Sequence, residues 1–251
     1  MSISVCLASY NGHKFILDQI ISILNQLNYD DEIIVVDDFS TDNTVELISS
    51  FNDSRIKIYI NKSNLGHVKA FARAISLAKN EFIFLSDQDD IWVDGRVSKI
   101  LDFLSASKKY LLTSNSAFID KKGLHINHNI RPIKSTESNQ HLLNILRIFF
   151  GSISYYGCTM AFNRKISQIA LPVPAYVESH DLWIALIGNI SGSNFHVDDV
   201  TIYRRIHDNN STNPTRSLFK KIYSRLIFLI SVFHIICRIC ICNIKEFLKR
   251  V

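Results

Sequence analysis

The feature that most constrains the fold is a short apolar run that leads directly into acidic residues. Residues 82–85, Phe-Ile-Phe-Leu, are followed after one serine by Asp87, Asp89 and Asp90. A short continuous apolar run bounded by polar residues is typical of a buried strand in a parallel sheet. The acids would then lie just past the carboxyl end of that strand, where open α/β sheets bind ligands.

Three carboxylates this close together repel one another, and the repulsion raises the pKa of each unless a cation compensates it. Oxygen ligands on a sharp turn suit a hard divalent ion such as Mg²⁺ or Mn²⁺. For these three residues alone, a solvated acidic turn is the simpler alternative, because short motifs often match by chance. The rest of the chain decides between the two interpretations.

Strands and helices alternate regularly over the first 92 residues. Apolar runs predict strands at residues 3–8, 33–36, 56–60 and 82–85, and helical spacing predicts helices at residues 15–27, 44–51 and 68–79. This order is that of β-α-β units, which form a parallel sheet with helices on both faces. The second predicted strand also ends in acids, Asp37 and Asp38, so we expect both acidic turns at one edge of the sheet.

The second half of the chain is less regular. The patterns predict helices at residues 97–105, 141–150 and 181–190, strands at 110–119 and 195–203, and a long polar loop at 121–140. The chain contains no G-x-G-x-x-G after its first strand and no G-x-x-x-x-G-K-[ST] pattern. A dinucleotide-dependent oxidoreductase and a P-loop NTPase are therefore poorly supported.

The positive charge of the chain is concentrated in its tail. The net charge is +5, but residues 216–251 contain eight Lys or Arg and one Glu, whereas residues 1–215 contain twenty basic and twenty-two acidic residues. This distribution argues against a nucleic-acid-binding surface and favours attraction of the tail to anionic lipid. The five cysteines form no even-numbered framework, which fits a reducing compartment.

The same tail carries a long apolar run. Residues 226–242 are mostly Ile, Leu, Phe and Cys, interrupted by Ser231, His234 and Arg238. The run falls short of eighteen uncharged residues, so a helix that lies in the membrane interface fits better than a spanning helix. The alternative is that the helix packs on the body of the protein or on a second copy.

Seven segments in order resemble one known family. They are residues 8–12 (Ala-Ser-Tyr-Asn-Gly), 34–42, 64–66, 86–92 (Ser-Asp-Gln-Asp-Asp-Ile-Trp), 157–162, 180–183 and 203–207. Together they resemble the inverting nucleotide-sugar glycosyltransferases of family 2, which have the A-type glycosyltransferase fold. The Asp-Gln-Asp-Asp-Ile-Trp form looks most like bacterial rhamnosyltransferases and related enzymes of O-antigen or capsule synthesis.

The resemblance implies a role for each matched residue. The residues implied in nucleotide-sugar binding are Ala8, Ser9, Tyr10, Asn11, Asp38, Asp87 and Gly157. Asp89 and His207 are the implied ligands of a divalent metal, Mg²⁺ or Mn²⁺, and Asp181 is the implied catalytic base. The implied sugar or acceptor pocket contains Trp92, His180 and Trp183. His180 stands where the family often has Glu, and Phe39 stands where it often has Gly.

Simpler structural roles remain open for several of these residues. Asp181 could be a helix N-cap, because acids are favoured there. Asp38 could cap the turn at residues 40–44. Trp92 and Trp183 could belong to the core, since aromatic side chains dominate burial.

The resemblance implies a cytoplasmic enzyme at the inner face of the plasma membrane. It would transfer a hexose or deoxyhexose from a dTDP- or UDP-sugar to a hydroxyl of a saccharide acceptor, which we expect to be lipid-linked. We expect a catalytic domain at residues 1–215, with a nucleotide-binding half at 1–92 and an acceptor half at 93–215, and a helical tail at 216–251 that contacts the membrane through residues 218–250. No nucleic-acid partner is expected. The alternative is a non-catalytic nucleotide- or glycan-binding module of the same fold.

Overall fold

The computed structural model describes residues 1–107, 109–207 and 218–248, and in the last segment it describes side chains over residues 222–242. The strands are β1 (Ile3–Ser9), β2 (Glu32–Asp37), β3 (Ile56–Ile60), β4 (Phe82–Ser86), β5 (Ile91–Trp92), β6 (Leu111–Ile119), β7 (His125–Ile126), β8 (Met160–Asn163) and β9 (Asn194–Arg205). The helices are α1 (Ile16–Leu24), α2 (Thr44–Ser49), α3 (His67–Leu77), α4 (Arg96–Ser107), α5 (His141–Phe150), α6 (Arg164–Ala170), α7 (His180–Ile190) and α8 (Leu218–Leu248).

The first four strands pair in the order β3-β2-β1-β4, and all of these pairs are parallel, as the sequence predicts. The register places Ser9 beside Asp37 and Leu7 beside Ser86. The acidic turns that follow β2 and β4 therefore leave the sheet at the same edge, on either side of β1.

Alternate side chains of β1 face the two sides of the sheet. Cys6 packs with Phe71 of α3 in one buried cluster, and Val5 packs with Ile20 of α1 in the other. Burial of one Val or Ile side chain stabilises a fold by about 1.5–3 kcal/mol, so both faces contribute to stability. The expectation of helices on both faces is confirmed.

Beyond β4 the sheet becomes mixed. Strand β8 lies between β4 and β6 and is antiparallel to both, whereas β6 and β9 are parallel. Strand β5 pairs with the end of β9, which brings the chain just after the acidic turn next to Tyr203. Strands β5 and β7 and helix α6 were not predicted, because each is too short to show a period in the sequence.

Helix α8 packs one of its faces on the body of the protein. Arg238 donates to the carbonyls of Ile169 at 2.8 Å and Pro172 at 2.7 Å, and its guanidinium lies 5.4 Å from the Trp183 ring centroid. By length and composition alone, Ile222–Cys242 is apolar enough to cross a membrane. The alternative of packing on the body therefore applies to one face of the helix, and the predicted apolar tail helix is present.

Candidate active site

Gln88 joins the turn after β1 to the acidic turn after β4. Its Oε1 accepts a hydrogen bond from the Tyr10 amide at 2.8 Å, and its Nε2 donates to the Tyr10 carbonyl at 3.1 Å. A Cβ atom at Gly12 would collide with the Gln88 amide, so glycine is needed for this close approach. From the sequence alone, only the position of Gln88 inside the acidic motif indicates that it belongs to the site.

The turn after β1 uses most of its polar groups to hold its own shape. Ser9 Oγ donates to Asp37 Oδ2 at 2.9 Å, and Asn11 Oδ1 accepts from the Thr41 amide at 2.8 Å. Ala8 is partly buried against the core. Tyr10, by contrast, is 45% exposed, so among these predicted nucleotide-binding residues it has a ring available to a ligand.

Asp38 organises the loop that precedes α3. Its Oδ1 accepts from Asn61 Nδ2 at 2.7 Å and from the Leu65 amide at 2.9 Å, and its Oδ2 accepts from the Gly66 amide at 2.7 Å. The turn at residues 40–44 is held instead by Asp37, whose Oδ1 accepts from the Ser40 amide at 2.8 Å. A carboxylate has about four acceptor positions, so Asp38 retains about one for a ligand.

The acidic turn is held against the end of β9. His207 Nε2 lies 2.8 Å from Asp89 Oδ2, so the two predicted metal ligands are neighbours. The Arg205 amide donates to Asp90 Oδ1 at 3.0 Å, and Arg205 Nε donates to the Asp89 carbonyl at 3.0 Å. Residues that are more than one hundred positions apart in the sequence therefore form one cluster, as the resemblance implies.

The carboxylates of the acidic turn are crowded and poorly solvated. Burial, together with the charge of Asp89, raises the pKa of Asp87, and burial with the charge of Asp87 raises the pKa of Asp90. Asp90 Oδ2 accepts no hydrogen bond from the described residues. Such a cluster fits a divalent cation, because a positive charge would relieve the repulsion and oxygen atoms are the ligands that Mg²⁺ and Mn²⁺ prefer.

Asp87 and Asp90 also approach a cysteine that the sequence analysis left unassigned. One ligand atom from each of Asp87, Asp90 and Cys158 lies within 4.8 Å of the others. Burial raises the pKa of the Cys158 thiol well above its usual value, and the carboxylates raise it further. A protonated thiol is a poor ligand for a hard cation, so the carboxylates are the useful part of this group.

Arg204 supplies positive charge beneath the acidic turn. Its guanidinium lies 3.7 Å from the ring centroid of Tyr156. Burial alone would lower the pKa of Arg204, but the carboxylates of Asp90 and Asp87 raise it, so the side chain stays charged. This single guanidinium compensates only part of the charge of the two buried carboxylates, Asp87 and Asp90.

Asp181 lies at the start of α7 and contacts the preceding residue. His180 Nε2 is 2.6 Å from Asp181 Oδ1, although the approach falls outside hydrogen-bond geometry. A Cβ atom at Gly157 would lie 2.7 Å from each of these two atoms, so only glycine fits there. The N-cap of α7 is Ser179, whose Oγ accepts from the Leu182 amide at 3.2 Å, so the alternative N-cap role of Asp181 is wrong.

The environment keeps Asp181 ionised. Burial would raise its pKa, but the neighbouring His180 and the Gly157 amide hold it below its usual range. Burial would likewise lower the pKa of His180, but Asp181 raises it. His180 is sandwiched in aromatic surroundings, with Phe71 stacked at 4.1 Å and His67 edge-on at 5.7 Å between ring centroids. His67 was left unassigned from the sequence, although it directly follows the matched segment 64–66.

The two tryptophans predicted in the sugar or acceptor pocket lie in the core. Trp92 is 2% exposed and packs between Phe84 and Arg96, and Trp183 is 1% exposed with its Nε1 donating to the Ala170 carbonyl at 3.0 Å. Neither indole presents a face to a ligand in this structure. The alternative that both tryptophans belong to the core therefore describes where they lie.

The remaining predicted residues share one region. The charges of Asp181 and Asp38 both raise the pKa of His67, against the larger effect of burial, and the charges of Asp89 and Asp181 both raise the pKa of Asp87. Since His207 contacts Asp89, these groups form a continuous series of neighbours from the loop before α3 to the end of β9. The Asp181 carboxylate therefore lies close enough to the acids at the sheet edge for its charge to act on Asp87.

A match to a known family agrees with this geometry. The sequence profile named Glycosyl transferase family 2 matches residues 4–169, about two thirds of the chain. The chain belongs to glycosyltransferase family 2. In an S. aureus family 2-like structure, TarS in complex with UDP-GlcNAc, the fold superposes with a TM-score of 0.72 at 18% identity, over 92% of this chain and 66% of that one. The A-type glycosyltransferase fold implied by the sequence is therefore confirmed.

Several relatives within family 2 have informative names. The Escherichia coli "UDP-Glc:alpha-D-GlcNAc-diphosphoundecaprenol beta-1,3-glucosyltransferase WfaP" is 28% identical over 229 residues, which are 87% of this chain and 83% of that protein. The "dTDP-rhamnosyl transferase RfbG" of Shigella flexneri is 35% identical over 117 residues, which are 43% of this chain and 40% of that protein. An uncharacterized glycosyltransferase of Haemophilus influenzae is 30% identical over 126 residues, half of its own length.

Proposed function

We propose that the protein is an inverting glycosyltransferase of bacterial surface polysaccharide synthesis, such as that of O-antigen or capsule. It transfers a hexosyl or deoxyhexosyl group from a UDP- or dTDP-sugar to a hydroxyl of a lipid-linked saccharide. The names of WfaP and RfbG support the two donor classes, and that of WfaP supports an acceptor linked to a lipid diphosphate. The observation that carries the proposal is the placement of the Asp181 carboxylate, 2.6 Å from His180 Nε2, near the crowded acids of the turn after β4.

The donor side of the site would contain a divalent cation, which family 2 enzymes typically use. Asp89 and His207 would hold the ion, with Asp87 on the same turn. When bound, such an ion supplies Lewis-acid stabilisation to the departing nucleoside diphosphate. Arg204, fixed over Tyr156, adds a second positive charge from the protein itself. Tyr10, Asp38 and the turn at residues 8–11 would bind the nucleoside. Gly157 would contact the donor through its backbone, since His180 and Asp181 fill the side where a Cβ would lie.

The acceptor side needs one base. Asp181 would accept the proton of the attacking hydroxyl, and its lowered pKa keeps it ready to do so at neutral pH. His180 would hold the carboxylate in place, since its Nε2 lies 2.6 Å from Asp181 Oδ1. A single displacement assisted by a single base inverts the configuration at the anomeric carbon.

The tail would bring this site to the membrane from the cytoplasmic side. The outer face of α8 is apolar and exposed, with Leu229 57% and Phe233 71% accessible to solvent. Because Arg238 fixes the inner face to α6, we propose that the helix lies along the membrane surface as a peripheral contact. Residues 1–215 would form the catalytic domain and residues 216–251 the membrane-associated tail.

The test is sugar transfer by the full chain. The purified protein, with Mn²⁺ or Mg²⁺, is offered UDP-glucose or dTDP-rhamnose and a GlcNAc-diphospho-lipid acceptor, and nucleoside diphosphate release and product are measured. Asp181→Asn should lower the transfer rate by about 10²–10⁴-fold, the usual contribution of a general base. Asp102→Asn on the exposed face of α4 is the matched control and should transfer at the wild-type rate. Full activity of Asp181→Asn would refute the assignment, and binding of a nucleotide-sugar without turnover would favour the non-catalytic module.

A further inference from the structure

Helix α5 exposes a stripe of large apolar side chains. Leu142 is 78% exposed, Leu143 51%, Leu146 50% and Phe150 68%. Residues 142, 146 and 150 are separated by four positions each, so they lie on one side of the helix. Clusters of this kind on the surface of a soluble protein mark sites where it contacts another molecule or a membrane.

The polar residues of α5 face the opposite way. Arg147 donates to Asn144 Oδ1 at 2.7 Å and to Gln140 Oε1 at 3.0 Å, and it lies 3.4 Å from the buried carboxylate of Glu137. The usual arrangement of a surface helix places apolar residues inward and charges outward. Helix α5 reverses this arrangement over its outer face.

Helix α8 shows the same reversal. Its Arg238 points inward to the carbonyls at the end of α6, and its His234 Nδ1 lies 2.7 Å from Tyr176 Oη. The large apolar residues on its outer side are each between 45% and 71% exposed: Ile222, Leu226, Leu229, Ile230, Phe233, Ile236 and Ile241. Two helices distant in sequence therefore both direct charge toward the protein and hydrocarbon toward solvent.

The two helices that carry these stripes touch each other. The Phe149 ring of α5 lies 5.2 Å from the Phe228 ring of α8 and 5.1 Å from the ring of Phe150, between centroids. The Arg225 guanidinium lies 4.9 Å from the same Phe149 ring. Aromatic contacts thus connect the end of α5 to the first half of α8.

We propose that α5 and α8 form one docking face, the exposed side chains of Leu142, Leu143, Leu146 and Phe150 together with the outer side of α8, and that its occupant is an anionic lipid bilayer. The inference extends the membrane contact of α8 proposed above to a second helix. The tail that contains α8 carries eight basic residues and one acidic residue, and anionic headgroups attract such a charge. Two anchored helices would also fix the orientation of the catalytic body on the membrane.

The experiment measures binding of the full chain to vesicles. The vesicles contain phosphatidylglycerol and phosphatidylcholine in equal parts, or phosphatidylcholine alone, and binding is measured by flotation. The double variant Leu142→Gln/Leu146→Gln should bind the anionic vesicles about tenfold more weakly than the wild type. In the wild type, binding transfers both leucine side chains from water into the membrane, and the variant loses this contribution. Leu124→Gln is the control, since Leu124 is 63% exposed on the turn between β6 and β7; it should bind like the wild type.

Three results would overturn the inference. The first is that the double variant binds anionic vesicles as tightly as the wild type. The second is that the wild type binds neither kind of vesicle. The third is that the wild type sediments as a dimer and the double variant as a monomer. Nucleoside diphosphate release with a water-soluble acceptor, measured on the same samples, is expected to be equal in the wild type and the double variant. That readout separates failure of the docking face from failure of the proposed transfer reaction, and circular dichroism checks that the double variant is folded.

Discussion

Asp37 ends strand β2 and Asp38 follows it, whereas Asp87, Asp89 and Asp90 follow strand β4 at the same edge of the sheet. In the first turn, the Asp37 and Asp38 carboxylates accept hydrogen bonds from backbone amides and side chains of the surrounding loops. These donors occupy about three of the four acceptor positions of each carboxylate.

The second turn contains the same residue type in a different environment. Burial and mutual repulsion raise the pKa of Asp87 and Asp90, and Asp90 Oδ2 accepts no hydrogen bond from the described residues. The acids of β2 build structure, and those of β4 are left with unsatisfied charge that a ligand can use. A strand-end carboxylate whose donors the fold does not supply is therefore the stronger candidate for binding a cation.

The largest difference is expected when the second turn loses a charge. Asp89→Asn should lower the transfer rate by about 10²–10³-fold, because an electrostatic group at the leaving diphosphate is removed. Its effect on the free energy of unfolding should stay below about 1 kcal/mol, since the change also relieves repulsion with Asp87. Steady-state kinetics and urea unfolding measure the two effects. A rate within a factor of about two of the wild type would exclude Asp89 from the site.

The same substitution in the first turn should act on stability. In Asp38→Asn, an amide group replaces an oxygen that accepts from the Asn61 side chain or the Gly66 and Leu65 amides. We expect a loss of about 2 kcal/mol in the free energy of unfolding, the usual effect of removing a charged, buried hydrogen-bond acceptor. Urea unfolding measures it, with Asp89→Asn as the matched partner. Equal stability of the two variants would contradict the distinction between the turns.

A smaller effect is expected at Asp181, a carboxylate outside the two turns, which is paired with the charge of His180. His180→Gln keeps a polar group of similar reach but removes the charge that lowers the pKa of Asp181. Burial then dominates, so that pKa rises, and the acid limb of the pH profile of kcat/KM should move to higher pH. The rate near pH 7 should fall by about tenfold.

The control for this variant is His128→Gln, because His128 is exposed and distant from α7 in the sequence. An unchanged acid limb in His180→Gln would mean that His180 does not set the ionisation of the base. A lower rate without a moved limb would point to a structural role alone.

The sequence predicted the parts of the fold that depend on local periodicity. Strand β3 and helix α5 have the bounds that their apolar patterns predict, and the four parallel strands follow from β-α-β alternation. Insertion of β8 between β4 and β6 could not be predicted, because it depends on pairing between distant segments. By contrast, the family resemblance predicted that Asp89 and His207 lie together, although their spacing in the sequence gives no indication of it.

The site was predicted less completely because a side chain's partners decide its role. Trp183 lies in a matched segment, yet Arg238 of α8 and the Ala170 carbonyl hold it in the core. The outward stripe of α5 was equally hidden, because its orientation depends on the pairing of Arg147 with Glu137 of the preceding loop. The roles of Gln88 and His67 depend on contacts between segments that are distant in the sequence, so the sequence alone does not indicate them.

The smallest expected effect tests the unsatisfied charge of the second turn directly. An unfolded Asp has a pKa of about 3.9, and the folded pKa of Asp90 is raised, so above that pH the folded state retains a proton that the unfolded state has lost. The contribution of Asp90 to stability is therefore full below about pH 4 and is lost as the pH rises through its folded pKa. Asp90→Asn should remove this loss, so the free energy of unfolding of the variant should fall less than that of the wild type between about pH 5 and pH 8.

Mn²⁺ should have a similar effect on the wild type, because it neutralises the same carboxylates. We expect it to raise the melting temperature by about 3 °C near pH 8, which corresponds to about 1 kcal/mol for a chain of this size, and by less near pH 5, where protons compete with the ion. Asp38→Asn should keep the Mn²⁺ effect, since Asp38 is satisfied by its own loop, whereas Asp89→Asn should lose it. A Mn²⁺ effect of equal size in both variants would mean that the two acidic turns do not differ in the way their hydrogen bonds indicate.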